Sequence, residues 1–294
     1  MSALQLPSGG GFGKIQDAHR PPPGTISSLP GRSRCLRFTG MVDLYSMPTM
    51  AAGYATARPP VHPEVIALVR EDLQVTTPLG RGLDVGCGAG LSTRALQLLA
   101  RYCVGVDPSE AMIRCCPAVA PGASFRVGRA ESLPVSARSM DIITAAGSLN
   151  YAALGLFYAE AARVLTGSVV VVVYDFSAGR SFRGSGDLDG WFSEFMHRYP
   201  PPPSFGNEVN PGILRDCGPG LRLSHHREFE VSLEMDPAAY LNYALTETNV
   251  AYAVQNGTPQ AGIRSWCEAT LAPVFRASPR EVLFRGYFAC LTRS

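Results

Sequence analysis

Apolar residues in this chain fall into two alternating kinds of segment. Short runs at 82–85, 102–106, 124–127, 141–145 and 168–176 are dense in Val, Ile, Leu and small residues and read as strands, the run 169–173 as a buried one. Between them, 91–100 has helical composition. Residues 63–73 place Val65, Ile66, Leu68 and Val69 on the inward face of an amphipathic helix that Pro63 can open. The stretch 51–62 ahead of it reads as a loop. Downstream, 221–233 and 281–292 read as strands, the last one returning to the sheet edge, while 237–256 and about 259–275 read as helices. The aromatic-bearing stretch from 177 to about 210 is loop-like, and loops of that length in compact domains tend to be lids or binding elements.

Residues 83–90, LDVGCGAG, carry the strongest chemical signal. Gly86, Gly88 and Gly90 let the backbone turn tightly and approach a ligand closely, because no Cβ stands in the way. The next strand ends in Asp107, near the ~20-residue offset at which nucleotide folds place an acid for ribose hydroxyls. Together they predict a cofactor that carries a nucleoside. A nicotinamide or flavin Rossmann domain is the competing reading, but its fingerprint would need glycine at position 91, where the chain has Leu91. Asp84 beside the turn would also repel a phosphate and suit an ammonium group.

In order and spacing, the segments LDVGCGAG, VGVDPSEAM, GRAESLPVSARSMDIIT and ARVLTGSVVVVVYDF resemble class I S-adenosylmethionine-dependent methyltransferases. The resemblance runs from about Tyr54 to Arg293 and is nearest to the small-molecule branch, methyltransferase type 11, which is similar to quinone-biosynthesis and trans-aconitate methyltransferases. It implies an α/β fold with a Rossmann-like sheet of seven strands, six parallel and the last antiparallel, flanked by helices and carrying helical lid insertions. The implied cofactor is S-adenosyl-L-methionine, and the implied partner is a small-molecule methyl acceptor.

The same resemblance assigns roles. Asp84 would orient the cofactor's amino group through the turn, with Gly86, Cys87, Gly88 and Gly90 forming that turn. Asp107 would bind the ribose diol, Pro108 and Met112 would flank the adenine, and Ala130 with Glu131 would meet its edge. Glu131 reads equally as an exposed acid at a helix start. Tyr54, Arg58 and Pro59 match an element that covers the cofactor, in which Arg58 would hold the methionine carboxylate and Tyr54 would close over the sulfonium; a simple surface loop is the plainer reading. Ser148, Leu149 and Asn150 would lie beside the transferable methyl.

Substrate recognition is expected in insertions at about 177–215 and 236–275. Trp191, Phe195, Tyr240, Tyr243 and Glu247, with Asn150, are the candidate acceptor contacts. Tyr240, Tyr243, Glu247 and Val250 are three or four residues apart and would share one helical face, although aromatic stripes also form cores. Related enzymes often carry a His-aromatic pair after the fourth strand, and here that pair is Asn150-Tyr151. Asn150 can orient a group but cannot take its proton. His62 and His197 are the other base candidates, each with a surface reading beside it, so no catalytic residue is assigned.

Composition narrows the field further. The chain has 294 residues, 46% of them hydrophobic, enough for a sizeable core in a single domain from 46 to 294. Net charge is +2, Lys14 is the sole lysine and the arginines form no stripe, which argues against a nucleic-acid partner. No apolar run reaches the ~18 residues of a membrane span. Eight cysteines show no metal-ligand spacing, so no metal is expected, and reduced thiols in a cytoplasmic protein are the simplest account. Residues 1–45 are rich in Gly and Pro and basic, and read as a disordered tail or as an over-extended start ahead of Met41 or Met47. Two other classes stay open: a protein that binds the cofactor but has lost chemistry, and a macromolecule methyltransferase.

Overall fold

The computed structural model describes residues 47–177, 179–203, 206, 208–218 and 220–293. The expected tail at 1–45 lies outside the described residues. The elements run α1 (Pro48–Ala57), α2 (Val61–Asp72), β1 (Leu79–Val85), α3 (Leu91–Leu96), β2 (Ala100–Asp107), α4 (Glu110–Val119), β3 (Ser124–Val127), β4 (Met140–Ala146), α5 (Leu154–Val164) and β5 (Leu165–Phe176). They continue with β6 (Ser181–Phe182), α6 (Asp187–Arg198), β7 (Leu221–Met235), α7 (Pro237–Ala244), α8 (Thr248–Gln255), α9 (Gln260–Phe275) and β8 (Arg280–Arg293).

The strand order is β3-β2-β1-β4-β5-β8-β7, with two-residue β6 also paired to β8. β1 to β5 are mutually parallel, and β8 runs antiparallel to β5, β6 and β7. The fold is thus the expected Rossmann-like α/β sheet flanked by helices. The last strand, however, does not end at the edge. It is flanked by β5 on one side and by β7 along its whole length on the other, which hides its largely apolar sequence from solvent.

β5 shows why its apolar run is unbroken. Val170, Val172 and Tyr174 join one core cluster with α2, α3 and the inserted helices, while Val171 and Val173 join another with α5. Successive side chains point to opposite faces and both faces are covered, so neither position tolerates a polar residue.

Three further expectations are corrected. Residues 51–57 are not loop but the greater part of α1, opened by Pro48 at its first turn. The aromatic stretch after β5 contains α6, whose Leu188, Trp191, Phe192 and Phe195 are buried. The single helix expected over 237–256 is two. α7 closes at Leu245, Thr246 turns its hydroxyl back onto the Tyr243 carbonyl, and Glu247 is extended. The Thr246 carbonyl freed by that break accepts from the Arg58 guanidinium at 3.0 Å, which holds the break open.

Candidate functional site

The ends of β1, β2 and β4 build the first cleft. The β1–α3 turn holds Gly86, Gly88 and Gly90 at φ of 70°, 52° and 97°, a region costly for side chains with a Cβ. The amides of Gly86 and Cys87 both donate to the Val106 carbonyl, which ties the turn to β2. Asp107 closes that tie from the other side. Its Oδ2 accepts from the Gly88 amide at 2.9 Å and its Oδ1 from the Ser109 amide at 2.8 Å. Burial pushes the Asp107 carboxyl up, and the two amides oppose that push. The Ser109 hydroxyl in turn caps α4 by accepting from the Met112 amide.

Of the residues expected around a cofactor, Tyr54, Gly86, Gly88, Asp107, Pro108, Met112, Ala130, Glu131 and Ser148 line this one cleft. Glu131 also accepts from the Ala153 amide at the start of α5, so its cleft position and its helix-start position coincide. Asp84, Cys87, Gly90 and Leu149 lie outside the lining. Asp84 is fully buried and accepts from Ser92, Thr93 and Thr144, which pins α3 and β4 to β1. Burial raises its pKa against those three hydroxyls. Gly90 packs against Cys116, Leu149 sits in the α5-side core, and buried Cys87 packs toward Gly105.

An acceptor carboxylate and an apolar bed, which a nucleoside cofactor would need, come together here. Asp107 stands at the rim with an apolar stretch of Pro108, Met112 and Ala130 beyond it, and Gly88 leaves a gap with only Tyr54 Cε1 at 3.8 Å. Tyr54 lines the cleft over Gly88, and the cleft's volume is about 160 Å³.

A second cleft, of about 460 Å³, opens from the first and shares Tyr54, Ala146, Gly147 and Tyr151 with it. Its further walls include Arg58, His62, Asn150, Asp175, Tyr243 and Glu247. Arg58 is therefore placed in the second cleft and not the first, its guanidinium 4.3 Å from the Tyr54 ring centroid and 3.1 Å from Glu247. His62 Nδ1 lies 2.9 Å from the Tyr174 hydroxyl, and burial together with Arg58 and Arg94 lowers its pKa to about 4. A neutral, weakly basic imidazole results.

Trp191, Phe195 and Tyr240 line neither cleft. They stack with Trp266 and Tyr243 in the core under the inserted helices. His197 is exposed on α6 and lines neither cleft. Sequence reasoning missed Asp175. It ends the buried β5 run, and its carboxylate accepts from the Phe176 amide at 2.8 Å and from Asn150 Nδ2 at 3.3 Å. The signal available was an acid closing a wholly apolar strand, the same pattern that marked Asp84 and Asp107. A third hollow, of about 800 Å³, is lined by Met50, Met235 and Leu245 among others and contains none of the glycine turn.

Among the described residues no helix is long and apolar enough to cross a membrane, and no three His, Cys, Asp or Glu side chains group as metal ligands.

Known proteins resemble this chain in the segment around the glycine turn and in overall fold. Residues 83–173 match the family described as a methyltransferase domain. A protein of Dictyostelium discoideum named as a candidate methyltransferase is 25% identical over 128 residues, 43% of this chain and 48% of that protein. The chain thus matches about half the length of that curated relative. The structure of a candidate type II methyltransferase from Anaeromyxobacter dehalogenans superposes with a TM-score of 0.61 at 21% identity, over 78% of this chain and 94% of that one. Residues 83–173 thus match a methyltransferase domain, and the sheet around them shares the Rossmann-like α/β fold of that solved structure.

Proposed function

We propose that this protein transfers a methyl group from S-adenosylmethionine to a small-molecule acceptor. The observation that carries the reading is the junction of the two clefts at Tyr54, Ala146, Gly147 and Tyr151. A ligand in each would meet end to end there, the arrangement an in-line displacement requires, and alignment of that kind can supply much of a rate enhancement. Bound in the first cleft, the cofactor would supply an electrophilic methyl on sulfur.

The chain's own residues would do the rest. Asp107 holds the ribose end, Pro108, Met112 and Ala130 give the base an apolar bed, and Gly86 with Gly88 admits the amino-acid end close to backbone. Tyr54, which lines both clefts over Gly88, would help exclude water from the junction. The second cleft's 460 Å³ suits a small acceptor, since ligand pockets run roughly 300–1,000 Å³.

The test is to incubate purified protein with S-adenosylmethionine and fractions of small metabolites and to follow S-adenosylhomocysteine by mass spectrometry. Acceptor-dependent formation supports the reading. Formation with protein or RNA fractions alone would move the acceptor to a macromolecule, and cofactor binding with no turnover on any fraction would leave a binding protein.

A further inference from the structure

We propose that Asp175 is the general base of this site and that the acceptor is a hydroxyl compound, a phenol or an enol, that enters the second cleft with its proton on. The inference rests on the methyl-transfer reading above and adds the base and the acceptor class to it.

Position comes first. Asp175 lines the second cleft beside Gly147, one of the four residues both clefts share, and a Cβ built on Gly147 would lie 3.2 Å from Asp175 Oδ1. A carboxylate there stands at the junction where the acceptor atom must wait. Its two bonds, one to each oxygen, come from neutral donors, the Phe176 amide and the Asn150 side chain. Each oxygen therefore keeps a lone pair for a proton.

Burial keeps the carboxylate basic, and the nearby arginines are engaged elsewhere. Arg58, His62, Arg180, Glu247 and Arg285 line the same cleft, and Tyr287 is the register partner of Asp175 on β8. Arg58 is paired with Glu247, Arg285 is bonded to Glu230, and Arg180 lies over the Phe192 ring. Among the described residues no cation forms a salt bridge with Asp175, so burial, opposed by Asn150 and the Phe176 amide, sets its basicity and raises it above that of a surface carboxylate. The alternatives are less well placed to take a proton. His62 Nδ1 lies 2.9 Å from the Tyr174 hydroxyl, and Asn150 has no basic atom.

That chemistry selects the acceptor. A base adds rate only where the nucleophile arrives protonated. A carboxylate acceptor would arrive as an anion, would need no base, and would be repelled by Asp175. With a hydroxyl acceptor, the oxygen lone pair forms the new bond to the methyl carbon. The carbon–sulfur bond breaks with its electrons staying on sulfur, and the hydroxyl proton passes to the Asp175 carboxylate, which later returns it to water.

The test pairs a panel of phenols and enols with a panel of carboxylic acids, using native protein, Asp175→Asn and Asn150→Ala. S-adenosylhomocysteine binding is measured in parallel by calorimetry. We expect turnover on hydroxyl compounds, kcat lower by about 100-fold or more in Asp175→Asn, and S-adenosylhomocysteine affinity within about twofold of native. The acidic limb of the rate profile should vanish in Asp175→Asn. It should move to higher pH in Asn150→Ala, which removes a donor that stabilises the carboxylate. Hydroxyl turnover that Asp175→Asn leaves intact, turnover on carboxylic acids alone, or no hydroxyl turnover by protein that binds the ligand would each overturn the assignment. Folded native protein that fails to bind S-adenosylhomocysteine would instead overturn the methyl-transfer reading on which it rests.

Discussion

Gly86 and Ser148 meet so closely that a Cβ on Gly86 would lie 2.2 Å from the Ser148 Cβ. Ser148 is fixed there by its own hydroxyl, which donates to the Val85 carbonyl at 2.6 Å. The end of β1 and the loop after β4 are thereby locked together at the mouth of the first cleft.

Gly86→Ala should therefore destabilise the fold, by left-handed backbone strain of ~1–2 kcal/mol plus overpacking of ~1–3 kcal/mol. Gly88→Ala should behave differently, since only Tyr54 approaches its open side. It keeps the strain but not the clash, and its main effect should be loss of S-adenosylhomocysteine affinity. Urea denaturation and calorimetry on both variants check this. Equal stability losses in the two would contradict the assignment of the clash to Ser148.

Asp84 and Asp107 both have folded-state pKa values raised mainly by burial. The native state then holds those protons more tightly than the unfolded state, so their effect on stability is most favourable at low pH. It is lost as pH rises from the ordinary carboxylate value of about 4 through the raised native values. Asp84→Asn removes one of these contributions. Its urea midpoint should fall less steeply with rising pH over that window than that of native protein, and an unchanged slope would contradict the account.

His62 gives the opposite sign in part of the same window. Its pKa is about 4 in the folded state against a reference of 6.5, so the unfolded state binds more protons between those values and stability rises with pH there. In an NMR titration, the imidazole resonance that disappears in His62→Gln should stay in its neutral form until about pH 4. Protonation of that resonance near 6.5 would show that His62 is not held between Tyr174, Phe176 and Arg58 as described.

Arg58 joins the segment before β1 to the break between α7 and α8, through Glu247 and the Thr246 carbonyl. Both charged side chains are mostly buried, at 16% and 18% exposure, so loss of one strands the other. Arg58→Ala should cost about 1–3 kcal/mol, below the range for a fully buried pair because some solvent screening remains. A double-mutant cycle with Glu247→Gln should give a coupling of at least ~0.5 kcal/mol. Additive losses would mean that Arg58 acts through the Thr246 carbonyl and the Tyr54 ring rather than through Glu247.

The sequence was most legible where local chemistry and long-range geometry agree. LDVGCGAG and the acid at Asp107 define a turn and its partner, and the Gly88 amide does bond to Asp107. Asp84 was legible as an acid at a strand end, but its burial under Ser92, Thr93 and Thr144 depends on how α3 and β4 pack, which spacing does not carry. Trp191, Phe195 and Tyr240 could not be sorted by pattern, because an aromatic stripe that fills a core has the same period as one that lines a pocket. Asp175 was passed over because VVVVVYDF reads as strand to its end, and only the approach of Gly147 and Asn150 from β4 gives that acid a place in the site. The position of β8 inside the sheet was equally hidden, since apolar content does not say which neighbours cover a strand.

The most direct test of the central claim, that the first cleft binds S-adenosylmethionine through the glycine turn and Asp107, is calorimetric titration of purified protein with that cofactor and with NADH. Native protein and Asp107→Ala are compared. The substitution removes the carboxylate that would accept from the ribose hydroxyls, a charged hydrogen bond worth about 1.5–3 kcal/mol, so affinity for the sulfonium cofactor should fall roughly 10- to 100-fold while NADH binds neither protein. Preferential binding of NADH, or sulfonium binding that Asp107→Ala leaves unchanged in folded protein, would contradict the account.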